Sequence, residues 1–235
     1  MIENRSSVAV IDLGVHLLAD QTAFRQIGKY SLLEWTIRRL AESSLLDAIA
    51  VTGSPVQHSA LKKLAIEPAQ WRPSEALTPL QRTIEVAIAA NAKWIVLIQA
   101  DSPCIDPILV DRLIAAAWAT PTSDLISFAS TSRDRNSSQN AGWIAEICSR
   151  RALRRLADMD SLSCDVRPVG RLLLSMPEFF QTRYLALPKA LDRDQVDWVL
   201  KTEDDWEISH MPLDSKSAHL ERSSLAALAM HNNRN

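Results

Sequence analysis

The sequence predicts an α/β fold, a mainly parallel sheet with helices on both faces, and three observations carry that reading. Short apolar, β-branched runs such as residues 7–13 (SVAVIDL) and 93–99 (KWIVLIQ) have the length and composition of buried strands. Between them lie amphipathic patterns that carry their own helix-start signals. Strand and helix also alternate, the order that closes into a parallel sheet covered on both sides.

The elements follow in turn. Residues 7–13 form the first strand. Residues 30–43 (YSLLEWTIRRLAES) form a helix: Ser31 and Glu34 make a capping-box pattern, and Leu33, Ile37, Leu40 and Ala41 make the apolar stripe. Residues 47–53 (DAIAVTG) are a second strand, stopped by Gly53 and Pro55. Residues 78–92 begin a helix with Thr78 as N-cap and Pro79 in the first turn. The strand at 93–99 leads to Asp101, and residues 106–119 repeat the acid-then-proline start at Asp106. Residues 124–129 (DLISFA) are a further strand.

The second half is less regular. Residues 143–148 (WIAEIC) read as a strand and 149–160 as a helix capped by Ser149, whose arginines form a solvated face. Residues 130–142 are a polar loop, and 197–208 (DWVLKTEDDWEI) a strand that enters a helix at Thr202. No linker or repeat interrupts residues 1–212, which read as one domain; 213–235 read as a C-terminal helix and tail.

Composition narrows the function. A net charge of −2, with no run of more than two Lys/Arg, argues against a nucleic-acid surface. No 18-residue apolar run marks a membrane span, and the N-terminus lacks the apolar region of a signal peptide. Cys104, Cys148 and Cys164 are few and widely spaced, which fits a reducing cytoplasm rather than a disulfide framework or a zinc site. Gly14, Gly28, Gly53, Gly142 and Gly170 are the only glycines. They are too far apart for a dinucleotide fingerprint or a Walker loop. Ligands of such sheets sit beyond the carboxyl ends of the strands, where Asp101 and the loop after the first strand fall.

Three stretches carry a resemblance to a known family: residues 27–54, residues 78–114 and residues 198–208. The Asp-x-Pro-x-Ile-Asp-Pro pattern from Asp101 to Pro107 is its most specific piece. Together they resemble the cytidylyltransferases, which include the acidic-sugar cytidylyltransferases and the spore-coat polysaccharide nucleotidyltransferases. The resemblance implies a Rossmann-like nucleotidyltransferase fold, usually a homodimer. It also implies transfer of a nucleoside monophosphate from a triphosphate to a sugar hydroxyl, with release of pyrophosphate and with Mg²⁺ held by carboxylates. By that resemblance Asp101 is the metal carboxylate and Arg82 matches a position near the nucleotide; Glu146, a candidate for substrate binding, lies on a strand whose family acid two positions earlier is replaced here by Ile144.

The sequence departs from the family pattern where the chemistry lies. The family's loop after the first strand carries arginines and a lysine. Here Asp12, residues 14–17 and Gln21 stand in their places, with Arg25 and Lys29 as nearby cations. Where the family has a second metal carboxylate this chain has Lys201, which cannot ligate Mg²⁺. Lys201 is therefore expected to take the metal's place and pair with Asp101. Two functions follow from these departures. One is a divergent sugar nucleotidyltransferase that relies on Arg25, Lys29 or Arg82 for phosphate. The other is a non-catalytic relative that binds a nucleotide sugar or a partner enzyme. Local readings stand beside the functional ones: Asp106 as a helix cap, Arg82 as an exposed helix arginine, Lys29 as a surface charge.

Overall fold

A computed structural model describes residues 5–14, 23–27, 29–100, 102–129, 145–159 and 165–188. A central sheet of seven strands runs in the order β5-β4-β1-β6-β8-β7-β9. Its strands are β1 (Ser7–Asp12), β4 (Ala48–Gly53), β5 (Gln70–Pro73), β6 (Trp94–Ile98), β7 (Leu125–Ala129), β8 (Glu146–Ser149) and β9 (Thr182–Ala186). β8 pairs antiparallel with β6 and β7, and every other pairing is parallel. The carboxyl ends of the six parallel strands and the start of β8 therefore share one rim. A small antiparallel pair, β2 (Gln26–Ile27) and β3 (Tyr30–Ser31), precedes the first helix.

Side-chain alternation splits the core between the sheet's faces. On one face Ile11, Val51, Val96, Ile126 and Ile147 pack beneath α1 (Leu32–Leu40) and α4 (Pro107–Ala119). On the other, Val10, Ala50, Ile95, Leu125 and Cys148 meet α3 (Pro79–Ala89), α5 (Arg150–Ala157) and α6 (Val169–Leu174). The helix-start signals act as read. Ser31 and Glu34 form the capping box, the Ser31 N–H donating to Glu34 Oε2 at 2.8 Å. Thr78, Asp106 and Ser149 each accept from a first-turn N–H.

Several elements differ from expectation. β5 is an edge strand with mostly exposed side chains, so it lacks a buried strand's apolar pattern. It is followed in the sheet order by β4 rather than announced by its own composition. A 3-10 turn (Pro55–Gln57) and α2 (His58–Leu61) fill the connection before it. The apolar stretch at 170–180 supplies α6 and part of the core: Leu172, Leu173 and Phe180 are buried, and Phe179 is exposed. The arginines of α5 are not all a free solvated face. Arg151 and Arg155, one turn apart, each hold the buried Asp124 at 3.0 Å. The expected loop at 130–142, the segment 197–208 and the tail at 213–235 lie outside the described residues. Among the described residues no helix is long and apolar enough to cross a membrane.

Candidate functional site

β1 ends in a carboxylate. Asp12 stands in register with Thr52 of β4, and both lie on the face covered by α3. α3 reaches across that face and places Arg82 on Asp12: Nε donates to Oδ1 at 2.8 Å and Nη2 to Oδ2 at 2.9 Å. The remaining Nη1 donates to the Ala76 carbonyl at 2.8 Å, just before the helix begins. A third N–H reaches the same carboxylate, from Gly14 to Asp12 Oδ1 at 2.9 Å. Gly14 holds φ at 74°, a left-handed conformation that glycine adopts without strain, and that turn aims its N–H back at Asp12.

Exposure makes the arrangement unusual. The Arg82 side chain is 1% exposed and that of Asp12 18%. Arg82 is thus neither a free cation at the rim nor a solvated helix arginine, the two readings its sequence position allows. Beside the pair, the buried Thr52 hydroxyl has no hydrogen-bond partner among the described residues.

The second feature of the same face is Glu146, at the start of β8 and paired across to Leu97 of β6. Its Oε1 accepts from the Ser127 hydroxyl of β7 at 3.3 Å. A Cβ added to Gly170 would overlap Glu146 Oε2, so the carboxyl lies directly against the α6 backbone. Burial pushes the Glu146 acid up to about 7, while the Ser127 hydrogen bond and the Arg171 charge pull it back. It can therefore hold or release a proton near neutral pH, which neither Asp nor Glu does in water.

The structure brings Asp12 and Arg82 together and sets Glu146 on their side of the sheet. Arg25 and Lys29 are exposed in the connection before α1. Asp101 and Lys201, with their expected pairing, lie outside the described residues. Asp106 serves as the cap of α4, its Oδ1 accepting from the Ile108 N–H at 2.8 Å. Cys104 and Cys148 take no part: burial pushes Cys104 up to about 12 and raises Cys148 further, so neither forms a nucleophilic thiolate at neutral pH. Sequence reasoning missed Thr52, Gly14 as a donor, Ser127 and Gly170. The Asp-x-Gly order at 12–14 is the one local signal among them, since it is a turn in which an acid accepts from the second N–H onward.

Comparison with known proteins agrees with this architecture. A cytidylyltransferase from Leptospira borgpetersenii superposes with a TM-score of 0.73 at 17% identity, over 97% of this chain and 92% of that one. A CMP:2-keto-3-deoxy-manno-octonic acid synthetase solved in complex with CTP gives 0.58 at 13% identity, over 89% and 98%. A Mycobacterium tuberculosis protein solved in complex with manganese gives 0.56 at 16% identity, over 86% and 96%. No curated protein matches in sequence. Identities this low speak to the fold, which is the Rossmann-like nucleotidyltransferase fold that the sequence resemblance implies. The family assignment rests on residues 20–199, most of the chain, which match the NTP transferases directly. The chain belongs to the family of MobA-like NTP transferase domains.

Proposed function

We propose that this protein binds a nucleoside triphosphate or a nucleotide sugar at the carboxyl rim, as a divergent sugar nucleotidyltransferase of nucleotide-sugar or surface-polysaccharide metabolism. The observation that carries the reading is the gathering of Asp12, Arg82, Thr52 and Glu146 on one face at the strand ends, where ligands of open α/β sheets sit. Arg82 is the planar donor suited to phosphate, and Glu146 is an acid able to accept a sugar hydroxyl's hydrogen bond. Nucleotidyl transfer is mostly positioning and charge neutralisation, so these groups act by orienting phosphate and sugar rather than by covalent chemistry.

A divalent ion supplies charge neutralisation to such transfers, and one structural neighbour was solved with manganese. Asp101 is the acid this reading offers to Mg²⁺. Among the described residues no three His, Cys, Asp or Glu side chains gather as a ligand set, and Asp12 is already engaged by Arg82.

A second reading has its own support. Arg82 spends its Nε–Nη2 edge on Asp12 and a further N–H on Ala76, which favours a protein that binds a nucleotide sugar or a partner without turning it over. A homodimer in the cytoplasm completes the proposal, with the exposed Val166 and Phe179 as its apolar candidates. Calorimetric titration with CTP, CMP and a panel of nucleotide sugars, with and without Mg²⁺, tests it. Saturable binding of at least one is expected, and no heat from any of them at millimolar concentration overturns the nucleotidyltransferase reading and the nucleotide-sugar form of the second.

A further inference from the structure

Three N–H donors converge on the Asp12 carboxylate: two from the Arg82 guanidinium and one from the Gly14 backbone. This donor set does not distinguish a carboxylate from a phosphate. A guanidinium edge binds two oxygens of either in parallel, and a backbone N–H in a left-handed turn adds a third contact. We propose that the chain has built an oxyanion cradle at its ligand rim and fills it with its own Asp12. A ligand phosphate must displace that side chain to reach Arg82.

Two further observations fit an occupied binding site better than a plain structural ion pair. The guanidinium is buried at 1% exposure and the carboxylate is the exposed member at 18%. Asp12 therefore sits between the cation and solvent, as a ligand would. Next to it the Thr52 hydroxyl is fully buried, in register with Asp12, and lacks a partner among the described residues. It is a spare donor that a larger tetrahedral anion can use and the planar carboxylate does not. A carboxylate held on its own chain has a high effective concentration, so it outcompetes dilute phosphate. The inference rests on the reading of this rim as the nucleotide site, and it makes Asp12 the residue that sets anion affinity there.

The test compares wild type with Asp12→Ala, Asp12→Asn and the double variant Asp12→Ala/Arg82→Leu. Thermal unfolding is followed against inorganic phosphate, pyrophosphate and CTP, with chloride at matched ionic strength as the control. A ligand that binds only the folded state raises Tm with its concentration. Asp12→Ala is expected to bind phosphate or pyrophosphate at least tenfold more tightly than wild type, and to shift the Gly14 amide resonance as it does so. Asp12→Asn, which keeps the shape, folds if the alanine variant does not, and is expected to show a smaller gain. The double variant should lose the response.

Anion affinity unchanged from wild type in both single variants overturns the cradle, as does an equal response in the double variant. If phosphate binds Asp12→Ala but no nucleotide binds any variant, the cradle stands and the proposed function falls. If wild type binds nucleotide and the single variants gain nothing, the proposed function stands and the cradle falls.

Discussion

Glu146 is the residue whose environment most changes its chemistry. Its folded acid titrates near 7, against an ordinary value of 4.5. Between those values the folded chain holds a proton that the unfolded chain has released. Stability is therefore complete in this respect below about pH 4.5 and falls as pH rises towards 7. Glu146→Gln keeps the size and removes the charge. It is expected to leave stability unchanged at pH 4 and to raise it by on the order of 2 kcal/mol at pH 8. Urea unfolding at both pH values reads this, and an equal effect at both would show that the carboxyl is not penalised by burial. Little of this was legible in the sequence. Glu146 was singled out by its place in a family strand, but the contact with Gly170 and the hydroxyl of Ser127 come from segments 24 and 19 residues away. Periodicity reports which face a residue takes, not what meets it there. The same holds for Asp12 and Arg82, which meet across 70 residues.

At the scale of elements, local rules carried most of the reading. Capping boxes, acid-proline starts and apolar stripes are decided within one turn, and each expected cap is formed in the fold. Edge strand β5 and helix α6 escaped because tertiary contact, not local pattern, sustains them. The arginines of α5 were misread for the same reason, since their partner lies on another strand. Asp124, buried at the start of β7, accepts from Arg151, Arg155 and the Gln181 N–H, while its own N–H and carbonyl join β9 and β8. Asp124, through its side chain and backbone together, thus ties three strands to one helix. Asp124→Ala strands a backbone donor and releases two arginines into water, where they remain solvated. The expected loss is about 2–3 kcal/mol, from charged hydrogen bonds rather than from a stranded buried charge. Arg151→Ala or Arg155→Ala alone should each cost about 1 kcal/mol or less, because both side chains are roughly half exposed and the other arginine remains. Chemical denaturation of the three variants checks the order, and an arginine variant as damaging as Asp124→Ala would refute it.

For the whole molecule the sheet does what such sheets do: it gathers the ends of several strands and leaves function to the loops beyond them. The fold was legible because alternation of strand and helix, with few glycines and ample apolar residues, admits few arrangements. Whether the rim performs transfer depends on charge balance, which is a property of the assembled face. The one buried cation described on that face, Arg82, is neutralised by Asp12 at the end of the first strand. A single preorganised donor lost from a transition-state site costs about 100- to 1000-fold in rate. Wild-type protein is therefore expected to release pyrophosphate from CTP and a sugar acid at a rate at least 100-fold below that of an active cytidylyltransferase assayed alongside, with Mg²⁺ present. Binding and turnover then part company: nucleotide heats in the calorimeter without matching pyrophosphate in the coupled assay. Turnover comparable to the active enzyme, abolished by Asp101→Ala, would mean that the phosphate contacts come from outside the described residues and that the Asp12–Arg82 pair opens on binding. Slow release that rises in Asp12→Asn would instead place the limit at the carboxylate itself, since that change frees the guanidinium fork while leaving the strand that carries it in place.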